Sequence, residues 1–240
     1  MFTTIRDRVT AATGAAFVIL IIVGNTLNTA GTSQSAHPTG AQVLKDVNHQ
    51  ADSTAATVGM VLEVLGFVAF MVFLGYLAHA LLRSASVRAS GAAAGTAIVA
   101  GVVMLAIKLG SAAPFLVLFL DRDRLSPQLA QLLNDLNGAA FVVSWLPFAV
   151  FVAAAAAAMR GAGLVGRPTA YIGIALGAAG VVLTLVGIRD LVNANPMAFM
   201  LGVLWVLVVS VRLAVRRGME TPESSGTDDI PAARRVPVGA

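Results

Sequence analysis

Charged side chains inside long apolar runs are the first candidates for chemistry, because a charge in hydrocarbon is costly and tends to mark function. Two occupy such runs: Glu63 in TVGMVLEVLGFVAF and Lys108 in VVMLAIKLGSAAPF. Each lies 20 residues from an arginine in the short segment joining the two runs, Arg83 for Glu63 and Arg88 for Lys108. At 1.5 Å per helical residue, both stand about 30 Å from that segment. On two sequential antiparallel helices they would sit at equal depth, near the far edge of the hydrocarbon. Gly59, Glu63 and Gly66 share one helical face, and Gly101, Lys108 and Ser111 another. Small residues beside each charge let backbones approach, so the sequence predicts a Glu63–Lys108 ion pair. Such a pair could relay a proton or a substrate. It could equally neutralise itself while tying two helices, or each member could snorkel to the nearby interface.

Little else in the chain offers chemistry. His79 is one turn from Arg83 and reaches toward headgroups. A lone membrane histidine cannot supply both axial ligands of a b-type haem, and His37 and His49 fall outside the apolar runs. With no cysteine there are no disulfides, thiolate sites or CxxC chemistry. HExxH, P-loop, GxSxG and dinucleotide fingerprints are all absent from the sequence. No catalytic residue, cofactor or metal is therefore expected.

The elements that must hold Glu63 and Lys108 follow from composition. Of 240 residues, 58% are hydrophobic and 12% charged, with mean hydropathy +0.84; soluble domains carry about 25% charged residues. A hydrocarbon core about 30 Å thick takes roughly 20 apolar helical residues. Six stretches are that long, near 10–30, 56–82, 92–120, 138–159, 169–188 and 197–215. They are continuous rather than alternating, which disfavours a barrel. The fold class predicted is an all-α, polytopic transmembrane bundle over 1–217. Residues 218–240, rich in Pro, Ser, Gly and charge, read as a disordered cytoplasmic tail.

Lysine and arginine set the orientation. Arg6, Arg8, Arg83, Arg88, Arg160, Arg167, Arg212, Arg216, Arg217, Arg234 and Arg235 fall in one set of segments. Only Lys45, Arg122, Arg124 and Arg189 fall in the alternate set, beside six aspartates. Both termini are predicted cytoplasmic, in a plasma membrane. The net charge of +4 is explained by this bias, and no nucleic-acid partner is expected. The first run also has the layout of a signal peptide, with arginines before a short apolar core and small residues at Ser33-Gln34-Ser35. Its extension to Ala30 suits a retained helix.

Two outer loops are more than linkers. Ser126-Pro127 starts a helix with a serine cap and proline at the first position. Leu129, Leu132, Leu133 and Leu136 then form one stripe, predicting a short amphipathic helix on the membrane surface or bundle top. Thr39-Gly40 opens a similar segment. Ala41–Asn48 (AQVLKDVN) aligns without gaps on Ala130–Asn137 (AQLLNDLN), and Asp190-Leu191-Val192-Asn193 is a looser echo. A repeat of helical hairpins would produce this, as would the tendency of re-entering helices to start with Asp or Asn. Pro114 and Pro147 should kink their helices and free the carbonyls of Gly110 and Val143. Gly173, Gly177 and Gly180, and also Gly91 and Gly95, give faces for close packing.

Val58–Val64 (VGMVLEV), entering the second run, resembles a segment of an uncharacterised bacterial family, a domain-of-unknown-function group of six-helix integral membrane proteins frequent in actinobacteria. The long outer loop after the first helix resembles that family too. The likeness spans Ala11 to Arg217. The fourth crossing departs from it, since Asn137-Gly138-Ala139-Ala140-Phe141 stands where a more polar start is expected. The resemblance implies a six-helix membrane fold and no activity. Three functional classes follow from the residues. One is a structural or regulatory membrane component, whose partners are the bilayer and another membrane protein or a second copy. The second is a small transporter or channel using Glu63 and Lys108. The third, an intramembrane enzyme, has the least support in the residues.

Overall fold

The computed structural model describes residues 5–33, 38–83, 87–187 and 196–215. Eight α-helices follow one another: α1 Ile5–Asn28, α2 Gly40–Asp52, α3 Thr54–Leu82, α4 Val87–Leu120, α5 Pro127–Val143, α6 Trp145–Gly161, α7 Arg167–Gly187 and α8 Met197–Val215. A single 3-10 turn, Arg122–Arg124, joins α4 to α5. Among the described residues all regular structure is helical. Six helical stretches are long and apolar enough to cross a membrane, with α5 and α6 together making one of them, Pro127–Gly161. The chain is a multi-pass helical bundle. The third run begins five residues earlier than expected, and the expected tail and the Asp190 echo lie outside the described residues.

Apolar area alone cannot hold such a bundle, because lipid tails are as apolar as leucine; close packing and buried polar contacts must do it. The core is aromatic at its centre. Phe17 of α1 meets Phe70 of α3 with ring centroids 4.7 Å apart, and Phe70 meets Phe151 of α6 edge-on at 5.4 Å. Outward faces are equally apolar, as expected of a surface solvated by lipid: Val99, Val102, Val182 and Val186 are all exposed.

Helix α1 lies along α3 on one side and α8 on the other, burying Ala11, Phe17 and Val18. The Ser210 hydroxyl of α8 donates to the Ala11 carbonyl and accepts from the Ala15 amide at 2.8 Å. It thus bridges the two ends of one rung of the α1 ladder. Helix α1 is thus one wall of the core.

The fourth crossing differs from expectation. Ser126 does cap α5, accepting from the Leu129 amide at 3.3 Å, with Pro127 in the first turn. It leads into α6, and Pro127–Gly161 together make one apolar span. The join is at Ser144, where the Ser144 amide donates to the Ala140 carbonyl at 3.0 Å and the Phe148 amide to the Ser144 carbonyl at 3.2 Å. Pro147 lacks the amide that Val143 would have used, so the expected break falls there. Around Pro114 the helix assignment of α4 is uninterrupted from Val87 to Leu120.

The outer ends of α4 and α5 join α2 in a cap with its own small core of Val43, Val47, Leu118 and Ala130. Thr39 opens α2 with a full capping box, its amide donating to Gln42 Oε1 at 2.8 Å. The two similar segments do not pack equivalently. Val43 and Val47 are buried, whereas their counterparts Leu132 and Leu136 are 63% and 54% exposed. Ala130 is fully buried while Ala41 is exposed. Only Leu133 of the leucine stripe packs partly into the cap core.

Candidate functional site

Glu63 is positioned by a backbone crossing. A Cβ on Gly59 would stand 2.6 Å from the Gly24 carbonyl oxygen, and one on Gly24 would stand 2.8 Å from that of Gly59. Any side chain at either position would force α1 and α3 apart. One turn further, that contact places Asn28, the last residue of α1, beside Glu63, and Asn28 Nδ2 donates to Glu63 Oε1 at 3.5 Å. From above, Gln50 of α2, only 7% exposed, donates its Nε2–H to the Asn28 carbonyl at 3.0 Å. A buried amide of this kind needs such a partner. Ser53 then ends α2 and caps α3, accepting from the Ala56 amide at 3.3 Å. The carboxylate therefore lies where three helices meet, under the cap.

Lys108 is positioned by α5. Its Nζ stands 3.4 Å from the centroid of the Phe141 ring, a cation–π contact of the kind worth roughly 1–2 kcal/mol when desolvated. Ser111 closes the next turn, its hydroxyl donating to the Lys108 carbonyl at 2.8 Å. Both charged residues are half-buried.

Depth along each helix agrees. Asn28 is 20 residues from Arg8, Glu63 20 from Arg83, Lys108 20 from Arg88, and Phe141 19 from Arg160. The Asn28–Glu63 and Lys108–Phe141 contacts join residues of matching depth, about 30 Å from the arginine end. They lie at one level, where a hydrocarbon core would end and the cap begins.

The two charges predicted to pair are brought to this same level. Their contacts, however, are the Asn28 amide for the carboxylate and the Phe141 ring for the ammonium. The small-residue face of α3 does not serve α4. Gly59 and Gly66 receive α1, through Gly24 and the Ile21 side chain, while Gly101 of α4 receives Leu74 of α3 and Phe151 of α6. Gly173 and Gly177 are packing positions as expected, against Trp205 and Ala153, whereas a Cβ at Gly91 or Gly95 would meet nothing within 4 Å. His79 is exposed near the arginine end. Among the described residues no three His, Cys, Asp or Glu side chains group as a metal site.

Asn28, Gln50 and Phe141 had not been singled out from sequence. Asn28 carried a usable signal, since its 20-residue offset from Arg8 repeats that of the two charges. No family model, curated protein or solved structure matches the chain. The family resemblance of Val58–Val64 therefore rests on those residues alone.

Proposed function

We propose that this protein is a structural or regulatory component of the plasma membrane, with both termini and the 218–240 tail cytoplasmic and the α2–α5 cap outside. The observation that carries this reading is that each intramembrane charge is engaged by a neighbouring helix: Glu63 by Asn28 of α1, Lys108 by Phe141 of α5. Groups used as ties between helices hold the bundle and its cap in register. A transport site would instead present them to a polar path. Neither residue lines the small pocket among Trp145, Phe148 and Phe199 or the open apolar groove between α6 and α7.

A small transporter or channel is the second reading, favoured by the shared depth of Asn28, Glu63 and Lys108. Proteoliposomes holding the full-length protein and an internal pH dye separate the two. The expected result is a proton or cation leak no greater than that of empty vesicles. A gradient-driven flux abolished by Glu63→Gln would instead establish transport.

A further inference from the structure

The arginine end of α6 and α7 has a construction that stapling does not explain. Helix α6 ends with Gly163 at φ +66°, the Leu164 amide donating to the Met159 carbonyl at 2.8 Å and the Gly163 amide to the Arg160 carbonyl at 3.0 Å. This left-handed end reverses the chain within a few residues, so α7 starts at Arg167 beside the last turn of α6. The Arg160 guanidinium then lies over the Tyr171 ring, 4.5 Å from its centroid. Arg167 is four residues before Tyr171, hence on the same face of α7. Both arginines and Tyr171, 52% exposed, point outward rather than into the bundle. The one carboxylate at this end among the described residues is Asp7 of α1, a helix that packs on α3 and α8.

One turn deeper into the apolar zone, α6 and α7 stay in close contact through Gly173, Gly177 and Gly180. Their backbones touch at Gly177, where a Cβ would stand 2.6 Å from the Ala149 carbonyl oxygen. Beside this contact lies an open groove of about 380 Å³, walled by Ala153, Ala154 and Ala157 of α6 and Ile174, Ala178 and Val181 of α7. Ala157 is three residues before Arg160 and Ile174 three after Tyr171. The groove thus leads directly away from the arginine pair.

We propose that this is a binding site for one phospholipid with an anionic headgroup, drawn from the leaflet at the arginine end. Arg160 and Arg167 take the phosphate, Tyr171 adds a hydroxyl donor and an aromatic face, and an acyl chain lies in the α6–α7 groove. A cationic mouth leading into a wholly apolar groove matches a lipid's charged head and apolar tail together. A helix from a second copy would fill the groove but leave the two guanidiniums without a counter-charge.

The test uses the full-length protein in detergent, titrated with phosphatidylglycerol or phosphatidylcholine, with thermal unfolding and native mass spectrometry as readouts. Phosphatidylglycerol should raise Tm more than phosphatidylcholine does, and one molecule should stay bound in the gas phase. Arg160→Gln with Arg167→Gln should weaken phosphatidylglycerol binding roughly tenfold or more, whereas Arg6→Gln with Arg8→Gln should leave it unchanged. Ala178→Leu, which fills the groove from an exposed position, should weaken it as well. Equal effects of the two lipids would overturn the proposal and leave only annular solvation. So would equal loss in both arginine pairs, or a lipid-free dimer protected along α6 and α7. The comparison of lipids on the unaltered protein needs no variant, so it decides even if a variant fails to fold.

Discussion

Glu63 and Lys108 show how a charge is kept in an apolar helix. Each has a contact of its own, Asn28 for the carboxylate and Phe141 for the ammonium, and the two stand at one level. Removing one charge leaves the other in apolar surroundings with less compensation, whereas removing both does not. Glu63→Gln and Lys108→Met are each expected to lower the unfolding temperature in detergent, and the double variant to recover part of the loss. Water near the outer edge softens the coupling to about 1 kcal/mol. Strictly additive losses in the double-mutant cycle would show that the two residues act only through their separate partners. The level of both charges was legible from counting residues to the nearest arginine. Their contacts were not, because Phe141 is one of 11 phenylalanines and nothing in its spacing sets it apart. The small-residue faces were legible as faces. Which helix each receives is decided by the whole bundle, and α1 took the place expected of α4.

Elements were easiest to read where local chemistry decides. The Thr39 and Ser126 caps and the break near Pro147 follow from capping oxygens and a missing amide. The continuity of α5 into the membrane was hidden. Asn134, Asp135 and Asn137 look like a helix boundary, yet packing against α2 and α4 carries the helix through them. A stability comparison checks this arrangement. Ala130 is fully buried against Val43, Val47 and Leu118, so Ala130→Leu should overpack the cap and cost about 1–3 kcal/mol. Leu132, the more obvious core residue by periodicity, is exposed, and Leu132→Gln should stay within about 0.5 kcal/mol. The reverse ranking in thermal unfolding would mean that the leucine stripe, not Ala130, packs into the cap. For α1, Ser210→Ala removes only the hydroxyl that bridges Ala11 and Ala15. A loss of about 0.5–2 kcal/mol is expected; no loss would mean that α1 is held by packing alone.

At the scale of the molecule, the bundle is a set of unequal rods whose arginine-rich ends are aligned. Helices α7 and α8 span 21 and 19 residues, whereas α4 and the joined α5–α6 crossing span 34 and 35. The far ends of α4 and α5 meet α2 in the cap, on the side of Glu63 and Lys108. The number and class of crossings were legible because a hydrocarbon core demands about 20 apolar residues per helix. The cap's helices were legible from their Thr39 and Ser126 starts, but its core was not, because Val43, Val47, Leu118 and Ala130 come from distant parts of the chain. Because the protein has no cysteine, its sidedness can be measured by introducing single cysteines and labelling intact cells with a membrane-impermeant thiol reagent. Cysteines replacing Ser84 and Ser224 should react only after the membrane is permeabilised, while one replacing Ser126 should react in intact cells. Labelling of Ser84→Cys in intact cells, or protection of Ser126→Cys, would contradict a bundle with its arginines inside and its polar cap outside.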